Sequence, residues 1–341
     1  RLFEQRTGLE VRFASMQVGW GWRGVRAVLT QVELAEPRSR RFKALAPEVQ
    51  LNLETWGIFR GGELSLGRAV LLAPEIEVIA RRAVDQRPSA VTPARTEPAG
   101  RDENWLGQLV DTVRSMPQGQ FDIEAGTLRL VDESDGSSRT MKVSQAVVRR
   151  DEDGVSGYGS VLLPELIGRS LFMSIELTGI NTRPAAVDGD MRIIARSLSL
   201  AEVASARGMQ GLVTVDARGT VQAGALAGGS WQANLRRIAF DSSPRDANQA
   251  QGAGDWRFDR IDMTGKLRRV AQGLRVDVGN FYVAPSNGAG ATATLNIELT
   301  DDDGSALIRS DRLPMPVARF LLAVATRRAP TAWPTELDGD R

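Results

Sequence analysis

Apolar and polar residues alternate along three similar stretches of the chain. In "TATLNIELT" (292–300) every second residue is apolar, and the residues between them are polar. The stretches "EVQLNLE" (48–54) and "SLFMSIELT" (170–178) alternate in the same way, except that Phe172 lies on the polar side. A period of two residues is typical of a β-strand, whose side chains point alternately to its two faces. Each stretch therefore predicts a strand with one apolar and one polar face.

The apolar positions of these three strands form the candidate functional surface. They are Val49, Leu51 and Leu53 in the first strand, Leu171, Met173, Ile175 and Leu177 in the second, and Ala293, Leu295, Ile297 and Leu299 in the third. Alternation alone leaves two interpretations of such a surface. It is either the interior of a sandwich or barrel that packs against itself, or a face that contacts a ligand.

Strand patterns of this kind run through most of the chain. They occupy about 9–78 and 120–310, and turn sequences rich in Asp and Gly separate them. We expect a mainly β fold of about 16 to 20 short antiparallel strands, which leaves a sandwich, a barrel or an elongated rolled sheet. The apolar phase slips by one residue between Phe13 and Met16, which predicts a bulge or a tight turn.

The chain divides into four parts. Residues 1–80 form a first set of strands, and residues 81–104, with three prolines and no periodicity, predict a flexible linker. Residues 105–333 continue the sheet, and residues 334–341 form a loose tail.

A few short helices interrupt the strand pattern. The segment 103–116 has apolar residues at helical spacing, namely Leu106, Leu109, Val110, Val113 and Met116. Two further helices are predicted at 199–208, after a serine cap, and at 315–329. The longest apolar run, 317–326, is well below the roughly 20 residues that a membrane-spanning helix needs.

Composition argues against most enzyme classes. The chain has no histidine and no cysteine, so it lacks the usual general base, the thiolate nucleophile and the commonest metal ligands. Its 43 basic and 42 acidic residues give a net charge of +1, which provides no field to attract nucleic acid. We therefore predict a non-catalytic protein without cofactor or metal.

Two features could carry chemistry, but each has a simpler structural interpretation. The acidic clusters at 132–135 and 301–303 run directly into glycine between strand patterns, which is typical of hairpin turns rather than of a calcium loop. Trp20 and Trp22 share a strand face with Val18 and could stack on a sugar or contact lipid. Packing in the core is the simpler role that we expect for them.

The segment "TGLEVRFASMQVGWGWRGVRAVLTQVEL" (7–34) resembles the opening of the AsmA-like envelope proteins, and most of all the YhdP branch. The shared features are a Thr-Gly pair after a helix end, a strand around Val11, a following tryptophan, and a strand that ends in Val32 and Leu34. The continuation "GELSLGRAVLLAPEIEV" (62–78) is similar to the next step of that family.

The resemblance implies a fold and a function. The fold is an elongated antiparallel sheet rolled into an open apolar groove, like the β-taco of chorein-type bridge proteins, with a few short helices. The function is to carry phospholipids across the bacterial periplasm from the inner to the outer membrane. This chain would be an N-terminal periplasmic part, anchored in the inner membrane by a segment upstream of Arg1. The apolar positions named above would line the groove and contact acyl chains.

Other functions stay open at this point. The chain could be a structural assembly factor of the outer membrane, whose sheet packs shut and whose surface recruits other envelope proteins. An enzyme that acts on envelope polymers is a third, less favoured hypothesis. An open apolar face would favour the carrier, and a closed core would favour the assembly factor.

Overall fold

The structure is a computed structural model of the chain. It describes residues 10–21, 24–35, 42–54, 65–80, 110, 113–114, 116–133, 136–182, 186–203, 209–240, 256–270, 273–300, 306–310, 313–318 and 321. The predicted linker at 81–104, the polar tract at 241–255 and the tail at 334–341 lie outside these residues.

Seventeen strands and one short helix account for most of the described residues. The strands are β1 (Glu10–Arg12), β2 (Ser15–Gly21), β3 (Gly24–Ala35), β4 (Phe42–Glu54), β5 (Ser65–Leu72), β6 (Glu75–Ala80), β7 (Gly119–Asp132), β8 (Ser138–Arg150), β9 (Gly154–Leu162), β10 (Ser170–Thr178), β11 (Asp188–Ser199), β12 (Met209–Gln222), β13 (Ala225–Phe240), β14 (Trp256–Val270), β15 (Gly273–Pro285), β16 (Ala291–Thr300) and β17 (Ala306–Arg309). The helix α1 is Leu200–Val203, and residues 110, 113–114, 315–318 and 321 are also helical. The 17 strands belong to one mixed sheet. The prediction of a mainly β fold with few short helices is confirmed.

The chain forms two compact units. Unit 1 contains the described residues up to Glu165 together with Arg169–Ile194 and Arg218–Gly228. Unit 2 contains Leu166–Gly168, Ala195–Ala217 and the described residues from Gly229 onward. Each unit has its own apolar clusters.

In unit 1, the strands pair in a nearly sequential order. Strand β3 pairs with β1 and β2 on one side and with β4 on the other. Strand β4 pairs with both β5 and β6, and β7 to β10 follow as an antiparallel series. The expectation of an entirely antiparallel sheet is wrong at one point, because β7 lies parallel to β5 and β6.

The connection before β7 explains this parallel pairing. Parallel neighbours need a crossover that returns the chain to the end at which the first strand began. The connection from Ala80 to Gly119 contains the segment 103–116, for which the sequence predicts a helix. Val110, Val113 and Arg114 are helical within it. An antiparallel pattern therefore breaks where the sequence inserts a helix between two strands.

The strands at one side of unit 1 are interrupted at the same level. The interruptions lie at Phe13–Ala14, Gln31, Pro47, Ala73–Pro74 and Ala125, which face one another across the ladders. Three of these residues have positive φ: 51° at Gln31, 46° at Ala73 and 53° at Ala125. The shift of apolar phase predicted between Phe13 and Met16 is one of these interruptions.

The shared level of the interruptions preserves the apolar face. A one-residue insertion in a single strand would turn its later side chains to the opposite face. Leu29 and Val32 are three residues apart yet both buried in one cluster, and the paired strand contributes Val49 and Ala46 to the same cluster. All neighbouring strands change phase together, so the apolar residues stay on one side.

Unit 2 has an antiparallel set of strands around one large core. Strands β14 to β17 pair in sequence. Its buried residues are Leu235, Ile238, Phe258, Ile261, Val278, Phe281, Val283, Ala293, Leu295 and Val317. Val317 and Leu321, which pack in this core, come from the segment where a helix was predicted at 315–329, and both are helical.

Candidate functional site

The register of unit 1 aligns apolar residues of successive strands on one side of the sheet. Residues that face each other across a ladder point to the same face. One row contains Met16, Leu29, Val49, Leu71, Ile123, Ala146, Gly159 and Met173. The adjacent row contains Val18, Ala27, Leu51, Ala69, Phe121, Val148, Gly157 and Ile175. We call these two rows the apolar face of unit 1.

The opposite face of the same strands carries many polar side chains that form cross-strand hydrogen bonds, together with a few apolar ones. Arg26 Nη2 donates to Gln50 Oε1 at 2.7 Å, which links β3 to β4. Arg68 Nε donates to Asp122 Oδ2 at 2.5 Å across the parallel pair β5 and β7, and Gln120 Nε2 donates to the same carboxylate at 2.9 Å. Asp122 is 2% exposed, and these partners satisfy the hydrogen-bonding capacity of its buried carboxylate.

Strand β2 presents the most exposed part of the apolar face. Met16 is 55% exposed and Val18 is 59% exposed, and Trp20 on the same side of the strand is 78% exposed. Their partners on β3 include Leu29 and Ala27, which are buried. Apolar side chains that alternate along one strand and remain in contact with solvent form a surface able to bind an apolar ligand.

At the side of the apolar face away from β2, strand β9 contributes only glycines to the two rows, so few side-chain atoms project from it. Gly157 and Gly159 occupy this face in β9, and Ala146 faces Gly159 from β8. Met173, which pairs with Gly159 from β10, is 51% exposed. The face therefore has little side-chain bulk beside a half-exposed methionine.

A helical segment covers the remaining end of the apolar face. Val110 and Val113 are buried in one cluster with Val155 of β9 and Leu177 of β10. Ile175 packs against the same cluster. Along β10 the exposure of the face rises from 1% at Leu177 to 51% at Met173, so the cover ends between these two residues.

The structure places seven of the eleven predicted surface residues on one face of unit 1. They are Val49, Leu51 and Leu53 of β4 and Leu171, Met173, Ile175 and Leu177 of β10. The intervening ladders connect the two strands through β5, β7, β8 and β9. Whether this face lines a lipid groove stays a prediction.

The other four predicted residues lie in unit 2. Ala293 and Leu295 are buried in the unit 2 core, and Ile297 packs against it. Leu299 pairs with Leu274 and Ala306. The core around Leu295 includes Val317, which is completely buried, so this surface is occupied by residues of the chain itself.

The sequence analysis did not predict that the apolar side chains of β2 are exposed. We expected Trp20 and Trp22 to pack in the core. The prediction is wrong for Trp20, whose side chain is largely exposed, and Trp22 lies outside the described residues. The signal available in the sequence was the alternation of Met16, Val18 and Trp20, which repeats the pattern of the other strands. Alternation identified their common face but not its exposure.

The acidic clusters behave as turns where the structure describes them. Asp132 accepts from the amide of Gly136 through its carbonyl at 2.9 Å, in the turn between β7 and β8. The Asp151 side chain accepts from the amide of Gly154 at 2.9 Å in the turn between β8 and β9. The cluster at 301–303 lies outside the described residues. Within the described part of the chain, no group of three or more acidic side chains is placed to hold a metal ion.

No helix among the described residues has the length and apolar character needed to cross a membrane. Comparison with protein-family models and with curated proteins found no match.

Proposed function

We propose that the chain carries phospholipids in the bacterial periplasm, from the inner towards the outer membrane, with acyl chains held on the apolar face of unit 1. The observation that supports this proposal is the exposure of three apolar side chains along β2, at one side of that face. They are Met16, Val18 and Trp20. The similarity of the sequence to AsmA-like envelope proteins supports the choice of phospholipid and of compartment.

Burial of exposed apolar area supplies the binding free energy. Each Å² of apolar surface removed from water contributes about 25 cal/mol. An acyl chain lying against Met16 and Val18 would remove water both from these side chains and from itself. Because apolar contact is not directional, the acyl chain could shift along the row without a large change in the free energy of binding.

The dimensions of the face suit acyl chains. Eight strands contribute to each row, so seven spacings of about 4.8 Å give roughly 34 Å along the sheet. The exposed parts of the rows lie at the two sides, on β2 and around Met173, because Leu29 and Val49 between them are buried. One leaflet of a bilayer has a hydrocarbon thickness of about 15 Å, which is half of the whole core. An acyl chain would therefore extend across about three strand spacings.

The proposal requires no catalytic residue. The chain has no histidine and no cysteine. Binding and release of lipid need only an apolar surface and access for a hydrated headgroup.

A second candidate function is supported by unit 2. Its core, with Val317, Phe281 and Ile261 at 1% exposure or less, is packed by the chain itself around Leu295. An apolar sheet face that the chain itself covers in this way suits a structural assembly factor that contacts other envelope proteins through its surface. In that function, no lipid would accompany the protein.

Mass spectrometry of an organic extract of the purified protein tests the choice between these functions. The carrier hypothesis predicts phospholipid in the parent protein and much less in Val18→Asp, because a carboxylate interrupts the apolar row. Gln17→Asp is the matched control, since Gln17 is exposed on the opposite side of the same strand. Absence of phospholipid from the parent, or equal amounts in both variants, would favour the assembly factor.

A further inference from the structure

Part of the apolar face of unit 1 is occupied by the chain itself. Val110 and Val113 are three residues apart on a helical segment, so their side chains lie on the same side of it. They share a buried cluster with Val155 and Leu177. An aliphatic acyl chain would need the same surface of β9 and β10.

Arginine side chains fix the C-terminal end of this segment. Arg114 donates from Nε to the carbonyl of Ile180 and from Nη2 to the carbonyl of Thr182 at 2.7 Å. Arg150 Nη1 donates to the carbonyl of Met116, two residues beyond Arg114. These polar bonds join the segment to the turn after β10 and to the end of β8.

The cover has a sharp boundary on the apolar face. Leu177 lies beneath it, and Ile175 packs at its margin. Met173, two residues further along the same side of β10, is half-exposed. Gly157 and Gly159 of β9 lie beside this boundary, so the bare part of the face is shallow.

We propose that Val110, Val113, Arg114 and Met116 form an intramolecular cover that competes with phospholipid acyl chains for the β8–β10 end of the apolar face. This inference rests on the proposed function of that face. With the cover in place, lipid reaches Met173 but not Leu177. Release of the arginine bonds lets acyl chains extend towards Ile175 and Leu177.

Three variants separate the loss of the Arg114 hydrogen bonds from a general loss of positive charge. Arg114→Ala removes the donors to Ile180 and Thr182. Arg149→Ala is the matched control, because Arg149 is exposed on the polar face and adjoins Arg150 in sequence. Arg114→Lys keeps a cation that donates from a single centre, and we expect it to give an intermediate result.

The first measurement uses a photoreactive amino acid at Met173 or at Ile175 in protein isolated with its lipid. We expect lipid adducts at Met173 in all variants. At position 175 we expect few adducts in the parent and in Arg149→Ala, and at least a threefold increase in Arg114→Ala. If adducts at 175 already equal those at 173 in the parent, or if Arg114→Ala leaves the ratio unchanged, the cover does not exclude lipid.

The second measurement does not depend on lipid. Because the chain has no cysteine, Leu177→Cys introduces a single thiol beneath the cover. Its rate of alkylation in detergent should rise several-fold when Arg114→Ala is added, while the melting transition remains cooperative. A lower melting temperature with an unchanged alkylation rate would show that the arginine has only a structural role, and would overturn the inference. Absence of adducts at Met173 together with faster alkylation would instead reject the proposed lipid function while the displaceable cover remains.

Discussion

Strands β2 and β16 have the same alternating pattern of apolar and polar residues, but their apolar sides differ in exposure. Met16, Val18 and Trp20 of β2 are more than half exposed. Ala293 and Leu295 of β16 are buried in a core to which Val317 contributes from a helical segment. Within the described part of the chain, Val317 lies over the apolar side of β16, whereas residues 15–20 of β2 are exposed on both sides of the strand.

This comparison links packing to function. An apolar sheet face that is covered by the chain is a core, and its side chains stabilise the fold. An apolar face that stays in contact with water is available to a ligand. Both a buried and an exposed apolar strand side therefore occur among the described residues, the first around Leu295 of unit 2 and the second on β2 of unit 1.

The largest contrast is expected from the same charged substitution in the two strands. Leu295→Asp would bury an unpaired carboxylate and should lower the free energy of unfolding by about 4 kcal/mol or more. Val18→Asp should lower it by less than about 0.5 kcal/mol, because the carboxylate remains hydrated. Urea denaturation followed by circular dichroism measures both values. Equal destabilisation would show that the two strands are covered alike.

Truncation of an aromatic residue should also lower the stability much more in the unit 2 core than on β2. Phe281→Ala removes a ring that is 1% exposed and should destabilise the fold by about 3–5 kcal/mol. Trp20→Ala removes a larger ring from a mostly solvated site, and we expect a change below about 1 kcal/mol. Thermal melting of the two variants provides the test. A loss of stability in Trp20→Ala comparable to that of Phe281→Ala would contradict the exposure of β2.

The sequence predicted the positions of the strands better than it predicted which segments pack against them. The alternation of Val49, Leu51 and Leu53 predicted β4 and its apolar side, because strand periodicity is local. The slip after Phe13 was also predictable, since it changes the phase of a local pattern. These features need no knowledge of which strands meet.

Contacts between distant segments account for what the sequence did not predict. The exposure of Trp20 depends on which of the described segments pack over β2, and alternation along β2 does not encode this. The burial of Leu295 depends on Val317, and the parallel position of β7 depends on the route of the segment before it. All three features depend on how segments that are remote in sequence pack together, so no local pattern specifies them.

The polar face of unit 1 offers a comparison with a smaller expected effect. Arg68→Met removes the cation that is paired with Asp122, whose carboxylate is buried. We expect a loss of about 1–3 kcal/mol, because Gln120 still donates to this carboxylate while its ionic partner is gone. Arg26→Met removes the hydrogen bond from exposed Arg26 to half-buried Gln50 on the same face, and it should cost less than about 1 kcal/mol. Equal values from urea denaturation would contradict the special position of Asp122.

The smallest effect on stability is expected at a glycine of the apolar face. A Cβ at Gly159 would lie 3.5 Å from Cβ of Ala146, an ordinary contact distance, so Gly159→Val should fold normally. The added side chain would fill the shallow part of the face and should reduce bound phospholipid in extracts. Ser160→Val, on the opposite side of β9, is the control and should leave lipid binding unchanged. Unaltered lipid in Gly159→Val would show that acyl chains do not reach β9.

The most direct test of the central claim is photochemical cross-linking to phospholipid at matched positions in the two strands. A photoreactive amino acid at Val18, at Gln17 on the opposite side of β2, and at Leu295 in the unit 2 core would be irradiated in cells whose phospholipids carry a label. The account predicts labelled lipid adducts at Val18 and none above background at Gln17 or Leu295. Absence of adducts at Val18, or equal labelling at Val18 and Gln17, would contradict the claim that the exposed apolar face of unit 1 binds acyl chains.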